Sequence, residues 1–323
     1  WERLMPATPI ETIHVSQRGG YGRTLLTAAE AGLPALGYVV RYGNLQNARG
    51  EALAASTAQV LNGAAVERIA QGDGSTLAYR HGDRLLEART RLLVIADGGA
   101  SLGARAGAVF RTRDYGQEAV VGLIATSHPH AQVAYERFTP DGPVALLPFE
   151  DRYALVWTAT PQRAGQLCAL ADRDFTSRLQ AHFGDRAGRF LSVTARARFP
   201  LALRYAKDPV LPRTVLLGNA AQTLHPIAGQ GFNLGLRDAW ELAATLLRYR
   251  EADPGSPALL DRYRSTRRLD RIGGIALTDS LVRFFSNDFP PLRAARGAGL
   301  VLLDVVPPAK RAFMQRMIFG GAL

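Results

Sequence analysis

The sequence predicts an α/β fold: a strand-and-helix domain split by an inserted, mainly β segment and followed by a helical C-terminal region. Three observations predict it. Two short apolar runs, Leu92-Leu93-Val94-Ile95-Ala96 and Val215-Leu216-Leu217, lead into Asp97-Gly98 and Gly218, as buried strands do where the chain turns towards a helix. Between them, from Val120 to Thr160, several β-rich runs recur. After Pro257 the chain reads as helical and amphipathic.

The elements follow in order. Ile10-Glu11-Thr12-Ile13-His14-Val15 alternates apolar and polar residues, which predicts one strand, and Gly19-Gly20 supplies a turn. Tyr38-Val39-Val40 is a second short strand. Leu45, Ala48, Ala52 and Leu53 fall at helical spacing, so a helix is expected from Asn44 to about Thr57 with Asn44 as its N-cap. Val66 to Arg91 breaks at Gly72-Asp73-Gly74 and His81-Gly82-Asp83, the pattern of a β-meander. Leu92–Ala96 is continuous enough to be buried on both faces, and it ends in Asp97-Gly98-Gly99-Ala100-Ser101. Val120–Ile124, Val144–Leu147 and Tyr153–Trp157 are strands separated by turns at Pro140-Asp141-Gly142 and Glu150-Asp151. Asp172–Phe183 is a helix, Val215–Leu217 a strand, and a long helix reaches about Arg250. A nucleotide-binding domain interrupted by an inserted β-sheet domain explains this order, although two consecutive domains would also alternate in this way.

Composition sets further bounds. The 323 residues carry a formal charge of +11, nearly all of it arginine, since lysine occurs only at Lys207 and Lys310. A basic surface suits nucleic acid, anionic lipid or a phosphorylated cofactor. No dense basic run or nucleic-acid motif is present, so nucleic acid is not an expected partner. Cys168 stands alone, which excludes an internal disulfide and suits a reducing, cytoplasmic location. No apolar stretch approaches the ~20 residues of a spanning helix. His128-Pro129-His130 lacks a third ligand at fixed spacing, and no metal is expected.

The most informative stretch is Gly218–Asp238, GNAAQTLHPIAGQGFNLGLRD. Its loop has no charged side chain between Gly218 and Leu236. A strand ending in glycine before a helix start presents unpaired backbone N–H groups and the positive end of the helix dipole. Gly229 and Gly231 would let a ligand approach the backbone closely. With no Lys or Arg in the loop, a flat neutral heterocycle that gains negative charge on reduction fits better than a free phosphate. The alternative is a turn that simply packs a helix against a strand.

The whole string resembles the second flavin motif of the class A flavoprotein monooxygenases, and within them the ubiquinone-biosynthesis hydroxylases. Supporting matches are Val94-Ile95-Ala96-Asp97-Gly98 with Ser101, Asp114-Tyr115-Gly116-Gln117, Arg137-Phe138-Thr139-Pro140-Asp141-Gly142-Pro143 and Thr278-Asp279-Ser280-Leu281-Val282. The resemblance implies an FAD/NAD(P)-binding, Rossmann-like domain interleaved with a β-sheet substrate domain. Its segments are 1–43 (substrate-domain strands), 44–113 and 213–260 (FAD-binding parts), 114–212 (substrate sheet) and 261–323 (helical C-terminus). It places Asn44, Asp97, Gly98, Gly218, Asn219, Pro226, Gly229, Gln230, Gly231, Phe232 and Asn233 at the cofactor. Asn219 stands where the family usually has Asp, and Gln222 where it has His, with an open role. The family's Arg near Ser101 is Ala104 here, with Arg105 beside it. His225, just before Pro226, is the catalytic candidate; the alternative is an ordinary loop histidine.

The implied activity is FAD-dependent hydroxylation of a polyprenylated phenol by a flavin C4a-hydroperoxide formed with O₂, with NAD(P)H as electron donor. Other ubiquinone-biosynthesis proteins and the inner face of the membrane are the implied partners. The runs Leu281–Phe285 and Phe313–Phe319 suit either core packing or peripheral membrane contact. The family's first motif, G-x-G-x-x-G on a βαβ unit, should precede residue 1, so an N-terminally truncated chain with weak or no FAD binding and no activity is expected. The alternatives are a prenyl reductase or halogenase on the same scaffold, and a non-catalytic lipid-binding or scaffold protein.

Overall fold

The computed structural model describes residues 5–72, 74–285 and 289–320. In chain order its elements are β1 (Ala7–Ile10), β2 (Thr12–Gln17), β3 (Arg23–Thr27), α1 (Ala28–Ala31), β4 (Gly37–Val40), α2 (Tyr42–Ala54), β5 (Ala65–Gln71), β6 (Ser75–His81), β7 (Arg84–Thr90), β8 (Leu93–Ile95) and α3 (Ser101–Arg105). Then come β9 (Phe110–Thr126), β10 (Val133–Phe138), β11 (Val144–Phe149), β12 (Arg152–Ala159), α4 (Pro161–Ala169), α5 (Asp172–Phe183), β13 (Phe190–Val193) and β14 (Ala197–Ala206). The last are β15 (Val210–Leu211), β16 (Thr214–Leu216), β17 (Gln222–Thr223), α6 (Gln230–Arg248), α7 (Pro257–Phe285), α8 (Pro290–Val305) and α9 (Pro307–Phe319). The fold is mixed α/β with a helical C-terminus.

The chain divides into two compact units. One holds Trp1–Ala58, Gly116–Leu201 and Ser280–Phe319; the other holds Gln59–Tyr115, Ala202–Asp279 and Gly320–Leu323. Residues 44–58 therefore lie with the first unit and 261–279 with the second.

The first unit is built on a sheet in which β9, β12, β11 and β10 are successively antiparallel. β2 then runs parallel to β10, with Tyr135 opposite His14, and β3 is antiparallel to β2. Alternation along β12 sends Tyr153, Leu155 and Trp157 to one face, which packs on Phe175, Leu179 and Phe183 of α5. Those three recur four residues apart, and Asp172 and Asp174 suit the first turn of the helix. Thr160 caps α4 by accepting from the Arg163 amide, ahead of Pro161.

Three expectations need correction here. The single strand over Ile10–Val15 is two strands in different sheets: Ile10 pairs with Gly37, Thr12 pairs with Thr27, and the Glu11 amide between them donates to Gln132. The α2 helix begins at Tyr42, after Arg41, so Asn44 lies inside its first turn and its side chain donates to the Met5 carbonyl instead of capping. Strand β8 is not buried on both faces. Ile95 is buried, but Val94 is 40% exposed, because β8 ends its three-stranded sheet and pairs only with β16 among the described residues. The turn at Gly72-Asp73-Gly74 includes Asp73, which lies outside the described residues.

In the second unit β5, β6 and β7 form the expected meander. β8 and β16 run parallel, with Leu216 opposite Ile95, and β14 pairs with β17. Helix α6 rests directly on the turn after β16, where a Cβ on Gly235 would come within 2.9 Å of Gly218 Cα. That obstacle is backbone and cannot rotate away. Gly235→Ala is expected to lower stability by about 1–3 kcal/mol, overpacking outweighing the gain in helix propensity. A urea midpoint equal to that of the wild type would contradict this close approach.

Candidate functional site

The parallel pair β8–β16 sets the site. Ile95 O accepts from the Leu217 amide at 2.9 Å, so the loops that follow both strands leave at the same sheet edge. Ligands of parallel α/β sheets bind at that carboxyl edge. Asp97 is exposed there and its Oδ1 accepts from the Gly99 amide at 3.2 Å, while Gly98 takes φ 75°. Arg105, beside the expected arginine position, is occupied with the Glu67 carbonyl at 3.0 Å. Asn44 belongs to the first unit; the other cofactor candidates belong to the second.

After β16 the chain makes a single 3₁₀ turn, Gly218–Ala220. Asn219 is exposed, and its backbone carbonyl accepts from Arg204 Nη2 at 2.7 Å. Beyond β17, Pro226 is exposed and leads into a second 3₁₀ turn, Ile227–Gly229. Gly229 closes it at φ 60°, the left-handed region that glycine adopts without strain. Helix α6 then begins with no side-chain cap, so the N–H groups of its first turn keep no intrahelical acceptor. Gln230 is buried, Phe232 is 56% exposed, and Asn233 Nδ2 donates to the Gly229 carbonyl at 3.3 Å.

This loop fits a flavin ring on its own geometry. A Cβ at Gly229 would meet nothing within 4 Å, and one at Gly231 only Leu224 Cβ at 3.9 Å, an ordinary contact. The protein interior therefore gives no steric reason for glycine at 231, unlike 235. What remains is open space in front of an uncapped, uncharged helix start, suited to an electron-rich ring edge.

A buried polar network lies beneath the loop. Asp238 Oδ2 accepts from Gln222 Nε2 at 2.6 Å and Oδ1 from Arg267 Nε at 2.9 Å. Arg267 also reaches Asp270 at 2.8 Å, as Arg237 does. Gln222 Oε1 in turn accepts from Arg271 Nε at 2.8 Å. Burial disfavours charge on both members of the central pair. Arg267 has two carboxylates and is held above its ordinary range; Asp238 has one contacting guanidinium and an amide, and burial raises its carboxyl. The sequence reading left Gln222 without a role and missed Arg267 and Arg271. The only trace is the Arg267-Arg268-Leu269-Asp270-Arg271 run, which on a helix reads as a solvated face.

His225 is completely buried, and Nδ1 accepts from the Ile227 amide at 3.2 Å, so the ring proton sits on Nε2. Nε2 has no hydrogen-bond partner among the described residues, and the ring stands edge-on to Tyr115 with centroids 5.5 Å apart. Burial lowers its pKa to about 4. A ring whose lone pair is already engaged is not placed to take a proton, and the arrangement matches the loop-histidine alternative. In the first unit, Glu136 on β10 has an Oε1 sealed from solvent without a partner among the described residues, and burial pushes its carboxyl up to about 8. Its place in the alternating run Tyr135-Glu136-Arg137 gave no sign of this.

Residues 45–271, most of the chain, match the family described as FAD binding domain. The chain belongs to the FAD binding domain family. Ubiquinone hydroxylase UbiL of Rhodospirillum rubrum is 42% identical over 231 residues, covering 70% of this chain and 54% of that protein. The 3-demethoxyubiquinol 3-hydroxylase of Escherichia coli is 34% identical over 308 residues, covering 93% of this chain and 75% of that one. The chain thus spans about half the length of UbiL. Among solved structures, p-nitrophenol 4-monooxygenase PnpA from Pseudomonas putida DLL-E4 shares the fold, with a TM-score of 0.74 at 17% identity, over 98% of this chain and 83% of that one. FAD is the cofactor of this family.

The His225 pKa lies below its unfolded value of 6.5, so its contribution to stability is present above 6.5 and lost as pH falls through about 4. His182 and His14 are also lowered by burial and act in the same direction, so a difference measurement is needed. Asn can accept from the amide two residues on. His225→Asn is therefore expected to cost about 1–2 kcal/mol at pH 7 from lost packing, yet to lose less stability than wild type between pH 6.5 and 4. Parallel stability-against-pH curves from urea unfolding would refute the buried, neutral assignment.

Proposed function

We propose that this chain is the isoalloxazine-holding part of an FAD-dependent hydroxylase of ubiquinone biosynthesis. It acts on a polyprenylated phenol with O₂, and NAD(P)H is the electron donor. The observation that carries the reading is Gly231, a glycine at the uncapped start of α6 where a Cβ would meet only an ordinary contact with Leu224, so packing does not require it. The names of the two hydroxylase relatives, a ubiquinone hydroxylase and a 3-demethoxyubiquinol 3-hydroxylase, support the substrate class.

When bound, FAD supplies electron transfer from NAD(P)H and the activation of O₂. This chain's own contribution is position and field. The backbone of Gly229, Gly231, Phe232 and Asn233 holds the ring, and the positive end of α6 favours negative charge there. Pro226 stiffens the approach to the loop, and Asn219 bonds the cofactor chain as a neutral donor and acceptor. Asp97 and Gly98 serve from the neighbouring strand end. Peripheral contact with the inner face of an anionic membrane belongs to the same reading. It is supported by exposed Phe289, Leu302 and Val305 at and on α8.

The test uses the full-length protein. It should show a bound-flavin spectrum, consume NAD(P)H with a short-chain prenylphenol to yield a hydroxylated product, and cosediment with phosphatidylglycerol vesicles. Gly231→Ala should keep the melting temperature while weakening FAD binding about tenfold or more, through backbone distance alone. A variant that binds FAD as tightly as wild type would overturn the placement of the ring. Product formation without FAD would overturn the reaction, and protein left in the vesicle supernatant would overturn the membrane contact.

A further inference from the structure

Away from the flavin loop, the second unit contains a cleft of about 830 Å³ between α7, the end of β14 and the start of β9. Seven cationic side chains line it with two carboxylates, Asp208 and Asp279. Arg113 pairs with Asp279 at 2.7 Å and Arg264 with Asp208 at 3.2 Å. Arg267 is satisfied by Asp238 and Asp270 beneath the wall. Arg111, Lys207, Arg268 and Arg271 remain, and none pairs with a carboxylate among the described residues.

Arg271 is the unusual member, because it is 7% exposed. Its Nε is taken by Gln222 and its Nη2 by the Ala206 carbonyl, while Nη1 has no acceptor among the described residues. Gln222 stands between it and Asp238, so this buried guanidinium receives an amide oxygen where a carboxylate would neutralise it. Burial pulls its pKa down, with Asp238 and Asp208 opposing from a distance. A buried cation without a contacting anion is costly, and one that faces a cleft can be compensated by a ligand. Leu203, Tyr205, Ile272 and Ile275 give the same cleft an apolar wall.

The geometry points to a second binding site in this cleft, for a phosphate ester with an apolar body. The phosphate is held by Arg271 from below and by Arg111, Lys207 and Arg268 at the rim; the body lies on Leu203, Tyr205 and Ile275. Arg271 offers its remaining Nη1 from below, and the guanidinium forks of Arg111 and Arg268 match phosphate oxygens two at a time. The inference is independent of the hydroxylase reading, since no residue of the flavin loop lines the cleft.

Calorimetric titration of the full-length protein with phenyl phosphate, dihexanoylphosphatidylglycerol and inorganic phosphate tests it. At least one organic phosphate should bind about tenfold or more tightly than inorganic phosphate. The double variant Lys207→Gln with Arg268→Gln, both exposed, should weaken it about tenfold without moving the melting temperature. Arg271→Lys, which keeps the charge and loses the Nη1 donor, should also weaken it. Preference for phenyl phosphate supports the site and assigns a soluble ester; preference for the lipid supports it and assigns a headgroup. Organic phosphates that bind no better than inorganic phosphate, or binding unchanged in the double variant, would overturn it.

Discussion

The Asp238 carboxylate is the point on which the second unit depends. It is 2% exposed, sits two turns into α6, and holds β17 through Gln222 and α7 through Arg267. Three elements distant in sequence are thereby fixed around one charge. The loop between β17 and α6 has neutral side chains, and among the described residues its bonds are local ones: the Ile227 amide to His225, the Gly229 amide to Pro226, and Asn233 to the Gly229 carbonyl. An open, uncapped helix start can be held in place only if what lies behind it is rigid. Removing one partner from such a buried group costs about 3–5 kcal/mol, far more than a surface pair contributes.

The arginine excess takes different physical forms in different places. Arg267 is spent inside the fold, Arg105 and Arg204 on backbone carbonyls, and Arg80 on an exposed partner, Glu67. Around the α7 cleft several cations converge without matching acids among the described residues. Net charge alone could not have separated these cases, because burial and acceptor geometry decide what each guanidinium does.

Much of the fold was legible because its signals are local. Asp172–Phe183 carries apolar residues at fourfold spacing and forms the helix expected of it, and the alternating runs at Val144 and Tyr153 form strands. The break at Glu11 was not legible, since alternation continues through it and only pairing with separate partners divides the strand. Exposure of Val94 depends on sheet position, which an apolar run does not encode. At the site, the glycine pattern announced the loop, and the difference between Gly231 and Gly235 needed coordinates. Gln222 and Arg271 meet across 49 residues, and no spacing rule would pair them.

The most direct test of this account is native-state amide hydrogen exchange across residues 222–229 in wild type and in Asp238→Ala. Exchange there should accelerate by orders of magnitude in the variant, while α5 of the first unit keeps its protection. Equal protection of the loop in the two proteins would show that Asp238 does not hold it.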